Sequence, residues 1–291
     1  MHLVVLIFGF TGILGELISL DSIPLVFYRT AIAAVVLIIF VAVAGKLQKI
    51  DLRTTAKLVG IGLITAMHWV FFFEAIKVST ISVAVATLAS TALFISFFEP
   101  LFMGKKVDFR EVFLGIIVIA GLVIIFQFET EYKLGIILAL VSAFLAGLFS
   151  VFNGIMIKTV DAVSISLYEM LAAAGGVFIF LGFSGAIDLE FFVISRMDWL
   201  WLLLLGTIAT AFAFVVSVEV MKVLSPFTVA LSINMEPVYS ILLALLIFGD
   251  KEKMSFGFYI GAFAILAALF GDAWIKRVQK RKAKSSLLQE E

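Results

Sequence analysis

Residues 24–44 read PLVFYRTAIAAVVLIIFVAVA, and Arg29 is the only charged side chain in this run. An apolar run of about 20 residues is long enough to cross the hydrocarbon core of a bilayer as an α-helix. A helix satisfies its own backbone hydrogen bonds in a region that contains no water. The sequence therefore predicts that this segment spans a membrane.

Nine further runs of this kind occupy most of the chain, in which 63% of the residues are apolar and 14% are charged. That composition is typical of a membrane protein. A transmembrane β-barrel is excluded, because its strands are about half as long and alternate apolar with polar residues. We predict an all-α integral membrane protein with ten spans, at 2–20, 24–44, 55–75, 80–103, 110–127, 132–157, 163–183, 198–221, 226–248 and 256–274.

Lysine and arginine residues in the short connections indicate the orientation. With the N-terminus inside, 15 of the 21 Lys and Arg residues lie on the cytoplasmic side, five lie outside, and Arg29 lies within a span. Basic residues favour the cytoplasmic side. We therefore predict a multi-pass protein of a bacterial inner membrane with both termini in the cytoplasm. The basic tail at 275–291 is expected to lie against anionic lipid headgroups.

The sequence offers little that would hold a cofactor. It contains no cysteine, and His2 and His68 are its only histidines, which argues against a metal site. No glycine-lysine phosphate-binding loop is present, and the connections are too short to form a nucleotide-hydrolysing domain. We therefore expect no metal and no cofactor. The formal net charge of zero gives no indication of nucleic acid as a partner.

Two parts of the chain resemble each other in sequence. Glu74–Val78 reads EAIKV, and Glu219–Val223 reads EVMKV at an offset of 145 residues. Further matches, at an offset of 146, pair Val83-Ala84 with Val229-Ala230 and Phe113–Ile116 with Tyr259–Ala262. Chance similarity between apolar segments is the alternative explanation. The conserved order of the matches favours an internal duplication.

The duplication divides the chain into halves at 1–127 and 132–274, each with five spans. Because five is odd, the second half enters the membrane the other way up. Inverted repeats of this kind are a device of transporters, whose halves exchange inward-open and outward-open forms around a site near the midplane. We therefore predict two inverted five-helix repeats around a central cavity.

Three short motifs, together with this architecture, resemble the EamA-type ten-helix carriers of the drug/metabolite transporter superfamily. The motifs are HWVFFFEAIK at 68–77, NMEPVY at 234–239 and FGD at 248–250, where many relatives have Glu in place of Asp250. The resemblance implies that spans 1–4 and 6–9 surround the cavity while spans 5 and 10 brace it from outside. Carriers of aromatic amino acids, sugar nucleotides and triose phosphates look similar in fold, so the fold does not name the cargo.

Glu236 is the strongest candidate for a functional residue, since an ionisable side chain inside a span is costly. It lies near the midplane of the ninth span, between Asn234 and Pro237. Pro237 removes a backbone donor and frees a carbonyl about one turn earlier, so a local kink is expected to open polar groups to the cavity. We predict that Glu236 contacts the substrate or carries a coupling proton. The alternative is a structural acid that is hydrogen-bonded between helices.

Glu16 and Arg29 lie at similar heights near the outer ends of the first two spans, which are joined by a short turn. We predict that they form a salt bridge that acts as a gate. The alternative is that Arg29 binds a substrate carboxylate, to which the planar guanidinium is suited. Glu169 stands at the comparable place in the second half and is a candidate for a second titrating carboxylate.

Small, hydroxyl and aromatic side chains recur at helical spacing on the spans expected to line the cavity. In the sixth span, for example, Ser142, Ala146 and Asn153 form one stripe. Close helix packing is the alternative explanation for such stripes. The predicted substrate site comprises Glu236, Asn234, Arg29, His68, Trp69, Phe72, Ser90, Tyr168, Glu169, Thr210, Phe214 and Tyr239.

These features together predict a secondary-active transporter and not an enzyme. The expected cargo is a small polar metabolite, an amino acid or a related compound, and the expected direction is outward. The driving force is expected to be a proton or a counter-substrate. An integral-membrane enzyme and a channel or scaffold protein are the alternatives. A membrane enzyme would need clustered catalytic groups, and a channel would need a continuous polar face. In this sequence the acidic residues and the other polar positions are dispersed.

Overall fold

The computed structural model describes residues 2–45, 47–104, 106, 109–233, 235–268 and 270–271. No β-strand occurs in these ranges, and helices occupy most of them. The predicted basic tail at 275–291 lies outside the described residues. The α-helices are α1 (His2–Leu17), α2 (Ser22–Ala44), α3 (Leu52–Lys77), α4 (Ile81–Leu88), α5 (Thr91–Met103), α6 (Phe109–Phe128), α7 (Lys133–Met156), α8 (Ala162–Phe183), α9 (Arg196–Gly206), α10 (Ala213–Val220), α11 (Pro226–Ile233), α12 (Glu236–Phe248) and α13 (Phe256–Ala268).

The all-helical membrane architecture predicted from the sequence is confirmed. Within the described part of the chain, seven helical segments are long and apolar enough to cross a membrane. Consecutive helices such as α4 and α5, or α9 and α10, count as one segment here. Three shorter apolar helices lie at 2–17, 113–128 and 256–268. Together they occupy the places of the predicted spans. That all ten cross the bilayer as two inverted repeats stays a prediction.

Two of the predicted spans are broken helices with matching bounds. α4 and α5 are separated at Ala89-Ser90, and α12 begins after Met235 as a helix separate from α11. The bounds of α11 and α12 follow those of α4 and α5 at a constant offset of 145 residues. Each pair ends at a glycine with positive φ, 67° at Gly104 and 59° at Gly249. The sequence match of Val83-Ala84 with Val229-Ala230, at an offset of 146, is therefore one residue out of register with the helices.

The break before α12 has a local cause. Pro237 lies in the first turn of α12, where its fixed φ is favourable and its missing N–H costs no hydrogen bond. Before α5, the Ser90 hydroxyl donates to the Thr87 carbonyl oxygen at 2.7 Å, an alternative to the regular helical pattern. The position of the kink expected near Pro237 thus coincides with the start of α12.

The central packing brings α3 into contact with α7 and α8, while α2 also lies against α8. Gly62 marks a close approach between α3 and α8. A Cβ atom at this position would lie 2.5 Å from the carbonyl oxygen of Glu169 and 2.8 Å from its Cα. The absence of a side chain at Gly62 therefore allows backbone contact, and this contact places Glu169 deep between the two helices.

The two broken helices are capped by carboxylates from opposite halves of the chain. Glu252 accepts hydrogen bonds from the backbone N–H groups of Ile81 and Ser82, at 3.0 and 2.9 Å, where α4 begins. Glu99 accepts one from the N–H of Phe227, at 2.9 Å, where α11 begins. A negative charge at a helix N-terminus is stabilising, so these contacts hold the broken helices against each other.

Candidate functional site

A cavity of about 120 Å³ lies among helices from both halves of the chain. This volume is several times what a single water molecule needs. Most of its wall is apolar or aromatic, with a few polar groups. Its lining residues are Phe8, Thr11, His68, Trp69, Phe72, Val85, Leu88, Ala89, Thr91, Ala146, Phe149, Ser150, Asn153, Phe214, Ser217, Val218, Met221, Val229, Ala230, Ile233, Glu236 and Pro237.

Five residues of the sequence-predicted substrate site line this cavity: His68, Trp69, Phe72, Phe214 and Glu236. Asn234 lies outside the described residues. The remaining six do not appear in the cavity wall: Arg29, Ser90, Tyr168, Glu169, Thr210 and Tyr239. The cavity therefore combines part of the predicted set with residues that sequence reasoning did not select.

Glu236 provides a carboxylate in the cavity wall. It is the first residue of α12 and is largely buried. The cavity-lining Phe8 and Thr11 belong to α1, which packs against α12. The Ser240 hydroxyl donates to the Gly9 carbonyl oxygen at 2.9 Å and fixes this pair of helices. Glu236 thus sits at a helix N-terminus, where the helix dipole favours a negative charge.

Aromatic rings form another part of the wall. The His68 ring lies 6.3 Å from the Phe72 ring and 5.3 Å from the Phe149 ring, centroid to centroid. The rings of Trp69 and Phe214 are 5.9 Å apart, and Phe149 and Phe214 are 6.1 Å apart. These separations are typical of packed aromatic pairs. The wall offers both apolar surface and ring faces that attract a cation.

His68 is held in one orientation by Ser142. Its Nδ1 lies 2.8 Å from the Ser142 hydroxyl oxygen and 3.0 Å from the Ser142 carbonyl oxygen. The single hydrogen of that hydroxyl is donated to the carbonyl oxygen of His68, at 2.9 Å. Both contacts of Nδ1 are therefore with acceptors, so we infer that Nδ1 carries the hydrogen in the neutral ring. Nε2 is then free to accept a hydrogen bond.

Arg29 lies behind the aromatic wall and does not line the cavity. Its Nε and Nη2 groups donate to the Thr210 hydroxyl oxygen at 3.1 and 2.8 Å. The guanidinium carbon is 4.1 Å from the centre of the Trp69 ring and 5.2 Å from that of Phe73. Nη1 makes no hydrogen bond although the residue is only 1% exposed. Trp69 therefore stands between the cavity and a buried cation.

Thr210 is positioned for Arg29 by an irregular turn. Residues Thr207–Phe212 form a π-helical segment between α9 and α10. The Thr210 hydroxyl donates to the Leu205 carbonyl oxygen at 2.7 Å, so its lone pairs remain for the two N–H groups of Arg29. Such π-helical turns are frequent at functional sites. No sequence signal marks this turn, because its residues are as apolar as those of a regular membrane helix.

The expected salt bridge between Glu16 and Arg29 is not formed in this structure. Glu16 pairs with Lys251, with 2.5 Å between carboxylate oxygen and Nζ. Arg29 instead extends inward to Thr210, because α2 lies against the π-helical turn. Similar height in the membrane does not determine the direction in which the Glu16 and Arg29 side chains point. A gating role for either residue stays a prediction.

The end of the bundle that holds Glu16 is closed by further polar contacts. Asp198 accepts hydrogen bonds from the backbone N–H and the hydroxyl of Ser19, at 2.8 and 2.6 Å. The Ser22 hydroxyl donates to Glu74 at 2.6 Å. These contacts join the α1–α2 turn to the start of α9 and the end of α3. They close the end that the lysine and arginine distribution predicts to be outside.

Asn153 connects the cavity to a second buried carboxylate. It lines the cavity, and its Nδ2 donates to Glu169 Oε2 at 3.3 Å. Glu169 is fully buried between α8, α3 and α7. The stripe of Ser142, Ala146 and Asn153 in the sequence thus indicated part of the face of α7 that carries Asn153. Its spacing did not show that Glu169 would be its partner.

Ser90, Tyr168 and Tyr239, the other predicted site residues, lie among packed helices outside the cavity wall. Ser90 is buried at the break between α4 and α5, where its hydroxyl is bonded to Thr87. Tyr168 and Tyr239 are half-buried. Tyr239 packs near α1, since a Cβ atom at Gly9 would lie 3.1 Å from Tyr239 Cβ. A role of these three residues in substrate binding stays a prediction.

Comparison with known proteins places this architecture in a family. The model of the EamA-like transporter family matches residues 1–127 and 133–271. The chain is 23% identical over 261 residues to the protein named Uncharacterized transporter YxxF of Bacillus subtilis (strain 168), covering 87% of this chain and 82% of that protein. A solved crystal structure with 19% identity superposes with a TM-score of 0.67 and covers 92% of this chain and 95% of the other, which shows a shared fold. Because the family match extends over nearly the whole chain, this protein belongs to the EamA-like transporter family of the drug/metabolite transporter superfamily.

Proposed function

We propose that the protein is a secondary carrier that moves an amino acid or a closely related compound out of the cytoplasm. The observation that carries this proposal is the chemistry of the cavity wall. Glu236 supplies a carboxylate to this wall, and the rings of Trp69, Phe72 and Phe214 supply an apolar and cation-attracting surface. A substrate ammonium fits the first, and an apolar side chain fits the second.

Arg29 provides the complementary charge for a substrate carboxylate. Its guanidinium is buried with no carboxylate among its hydrogen-bond partners, and Nη1 is unpaired. A buried charge without a counter-ion is costly, and arginine binds carboxylates through two parallel hydrogen bonds. A rotation of the Trp69 side chain would expose Arg29 to the cavity. The site would then hold both charged groups of a zwitterion.

Alternating access between two inverted repeats, at 1–127 and 132–274, is the proposed transport mechanism. The cavity wall supports it because helices of both halves contribute, among them α3 and α4 from the first and α7 and α10 from the second. The equal lengths of the broken helices, at a constant offset, also favour repeats of common origin. Broken helices at such a site are characteristic of secondary transporters.

Outward transport requires loading of the cavity from the cytoplasmic side. The contacts of Asp198, Glu74 and Lys251 close the end predicted to face outside. The cavity wall extends in the other direction to Met221, beyond the last residue of α10. This arrangement corresponds to the cytoplasm-facing form that an exporter needs to bind its cargo.

A ligand-stability screen followed by counterflow tests the proposal. Purified protein is heated with amino acids, nucleosides and sugar phosphates, and we expect amino acids to raise the midpoint temperature of thermal unfolding. A ligand at a hundred times its Kd stabilises a protein by about 2.7 kcal/mol. Hits are then tested for saturable counterflow in proteoliposomes.

Variants of two carboxylates supply the internal control. Glu236→Gln is expected to abolish stabilisation by the hits, whereas Glu219→Gln is expected to retain it. Glu219 is an exposed carboxylate that pairs with Lys222 at the surface. Stabilisation by nucleosides or sugar phosphates alone, or equal binding by Glu236→Gln, would refute the assignment.

A further inference from the structure

Asn153 and Glu169 form a polar site of which only Asn153 lines the substrate cavity. Asn153 lies in the cavity wall, but Glu169 lies behind it and is 0% exposed. Their side chains make one hydrogen bond, from Asn153 Nδ2 to Glu169 Oε2 at 3.3 Å. Asn153 is thus the residue that reaches both the cavity and the buried carboxyl group.

Two oxygen atoms of this pair are left without a hydrogen-bond partner. Asn153 Oδ1 and Glu169 Oε1 are both buried and unpaired. Thr65 lies beside the carboxyl group, but its hydroxyl hydrogen is donated to the Ile61 carbonyl oxygen at 3.0 Å. Towards Glu169, Thr65 can therefore act only as an acceptor. The surroundings offer the carboxyl group one N–H donor, from Asn153, and two oxygen atoms that can accept a hydrogen from it, Asn153 Oδ1 and the Thr65 hydroxyl oxygen.

Neighbouring ionisable groups on the packed helices have other partners or lie at the helix ends. In α2, Arg29 is bonded to Thr210 and Tyr28 to the Phe191 carbonyl oxygen. In α3, His68 is bonded to Ser142, while Arg53 and Lys57 are exposed in the first turns. The remaining groups are Glu74, bonded to Ser22, Lys77, bonded to the Ile18 carbonyl oxygen, Glu219, paired with Lys222, and Lys133 at the start of α7.

We propose that Glu169 is the site at which this carrier binds its coupling proton, and that Asn153 transmits the state of that site to the substrate cavity. The inference rests on the proposed function and deepens it, since it separates the proton site from the carboxylate that meets the cargo. An isolated negative charge inside a membrane protein is costly unless it is neutralised. A proton neutralises Glu169 without requiring space for an additional ion.

The two protonation states require opposite orientations of the Asn153 amide. When Glu169 is ionised, Nδ2 donates to Oε2, and Oδ1, which is buried and unpaired in this structure, is the acceptor that a substrate ammonium reaches once it displaces the side chains that cover this atom. When Glu169 is protonated, its O–H donates to Oδ1, and the amide rotates by a half-turn so that Nδ2 takes the place of Oδ1. A donor then faces the ammonium, which weakens its binding.

Proton and cargo therefore exclude each other, and this is the requirement for exchange transport. The proton comes from water that enters the cavity from the side to which it is open. The substrate leaves when Glu169 takes up a proton outside, and the proton is released when the next substrate binds inside. As the carboxyl O–H forms, an O–H bond of a hydronium ion breaks, and release of the proton to water reverses this exchange; no other covalent bond changes in the cycle.

Infrared difference spectroscopy tests the proton site without any ligand. Wild-type protein in lipid nanodiscs is titrated with acid, and the C=O stretching band of protonated carboxyl groups is followed. We expect a titrating band that is absent in Glu169→Gln and present in Glu219→Gln, and whose midpoint moves in Asn153→Leu. A band that is unchanged in Glu169→Gln would overturn the assignment of the site.

Binding of L-phenylalanine as a probe tests the coupling. If one proton competes with the cargo, the apparent Kd of the wild type rises about tenfold for each pH unit on the acid limb, by linkage. In Glu169→Gln the rise per pH unit is expected to be smaller than in the wild type, because only the cavity carboxylate Glu236 is left to titrate. Release of about one proton per bound L-phenylalanine, measured with a pH-sensitive dye, is the expected companion result.

The outcomes separate failure of the coupling from failure of the proposed function. If wild type and Glu169→Gln show the same pH dependence of Kd, the exclusion between proton and cargo is wrong. If the wild type binds no L-phenylalanine or other amino acid, the proposed cargo class is wrong, and the infrared titration still decides the proton site. Retention of the wild-type elution volume and thermal midpoint shows that each variant is folded.

Discussion

A pair of glycine substitutions in α3 tests whether close helix contact positions Glu169. A Cβ atom at Gly62 would lie 2.5 Å from the Glu169 carbonyl oxygen and 2.9 Å from the Ala172 Cβ. Its nearest neighbours are backbone atoms, so α8 must shift as a whole to make room. At Gly60, on the same helix, a Cβ atom meets nothing within 4 Å.

The two substitutions have the same effect on helix propensity but differ in their effect on packing. Alanine gains up to about 1 kcal/mol over glycine in helix propensity at either position. Overpacking of a well-packed interior costs about 1–3 kcal/mol. We therefore expect Gly60→Ala to be neutral or stabilising, and Gly62→Ala to be less stable than Gly60→Ala by about 1–3 kcal/mol, because the propensity term cancels between them.

Reversible unfolding in mixed detergent micelles measures this difference. The fraction folded is followed by circular dichroism as the share of denaturing detergent rises, and free energies of unfolding are compared at one detergent ratio. We also expect Gly62→Ala to alter the carboxyl C=O band assigned to Glu169. Equal stability of the two variants, with an unchanged band, would refute the inference that α3 and α8 touch at Gly62.

Three further expectations concern the caps, the outer end and the topology. Glu252→Gln removes the charge that caps α4 and is expected to lower the free energy of unfolding by about 1–2 kcal/mol; an unchanged value would mean that the cap is not needed. Lys251→Met breaks the pair with Glu16 and should change stability by less than about 1 kcal/mol, but it should increase the rate at which an outside thiol reagent labels a single cysteine placed at Phe214 in the cavity wall. Since the protein has no cysteine, single cysteines at Lys77 and Lys106 should react from opposite sides of the membrane, and labelling from the same side would contradict the inverted topology.

Much of the fold could be predicted from the sequence because its driving force is local. A run of about 20 apolar residues becomes a membrane helix whatever its neighbours are. The bounds of α2 and α7, for example, differ by only a residue or two from predicted spans at 24–44 and 132–157. The π-helical turn at 207–212 was not predictable, since no residue type there demands it.

The candidate site was predictable in part, because depth in the membrane can be read from a sequence but rotation about the helix axis cannot. Glu236 and His68 were selected for their depth and type, and both line the cavity. Thr11 and Ser217 line it as well. Ser217 recurs at helical spacing with Thr210 and Phe214, whereas nothing in the apolar first helix marked the face that carries Thr11. Tyr168 has a suitable depth and type, but it does not line the cavity.

The class of protein, the positions of the helices and the cost of each buried charge follow from the order of the residues. The partners that satisfy those charges depend on how the helices pack. Arg29 meets Thr210 because α2 packs against the π-helical turn, and Glu16 meets Lys251 because α1 packs against α12 and the turn that follows it. A polar group within a span must find a partner on another helix, and the choice of that helix depends on contacts between residues far apart in the chain.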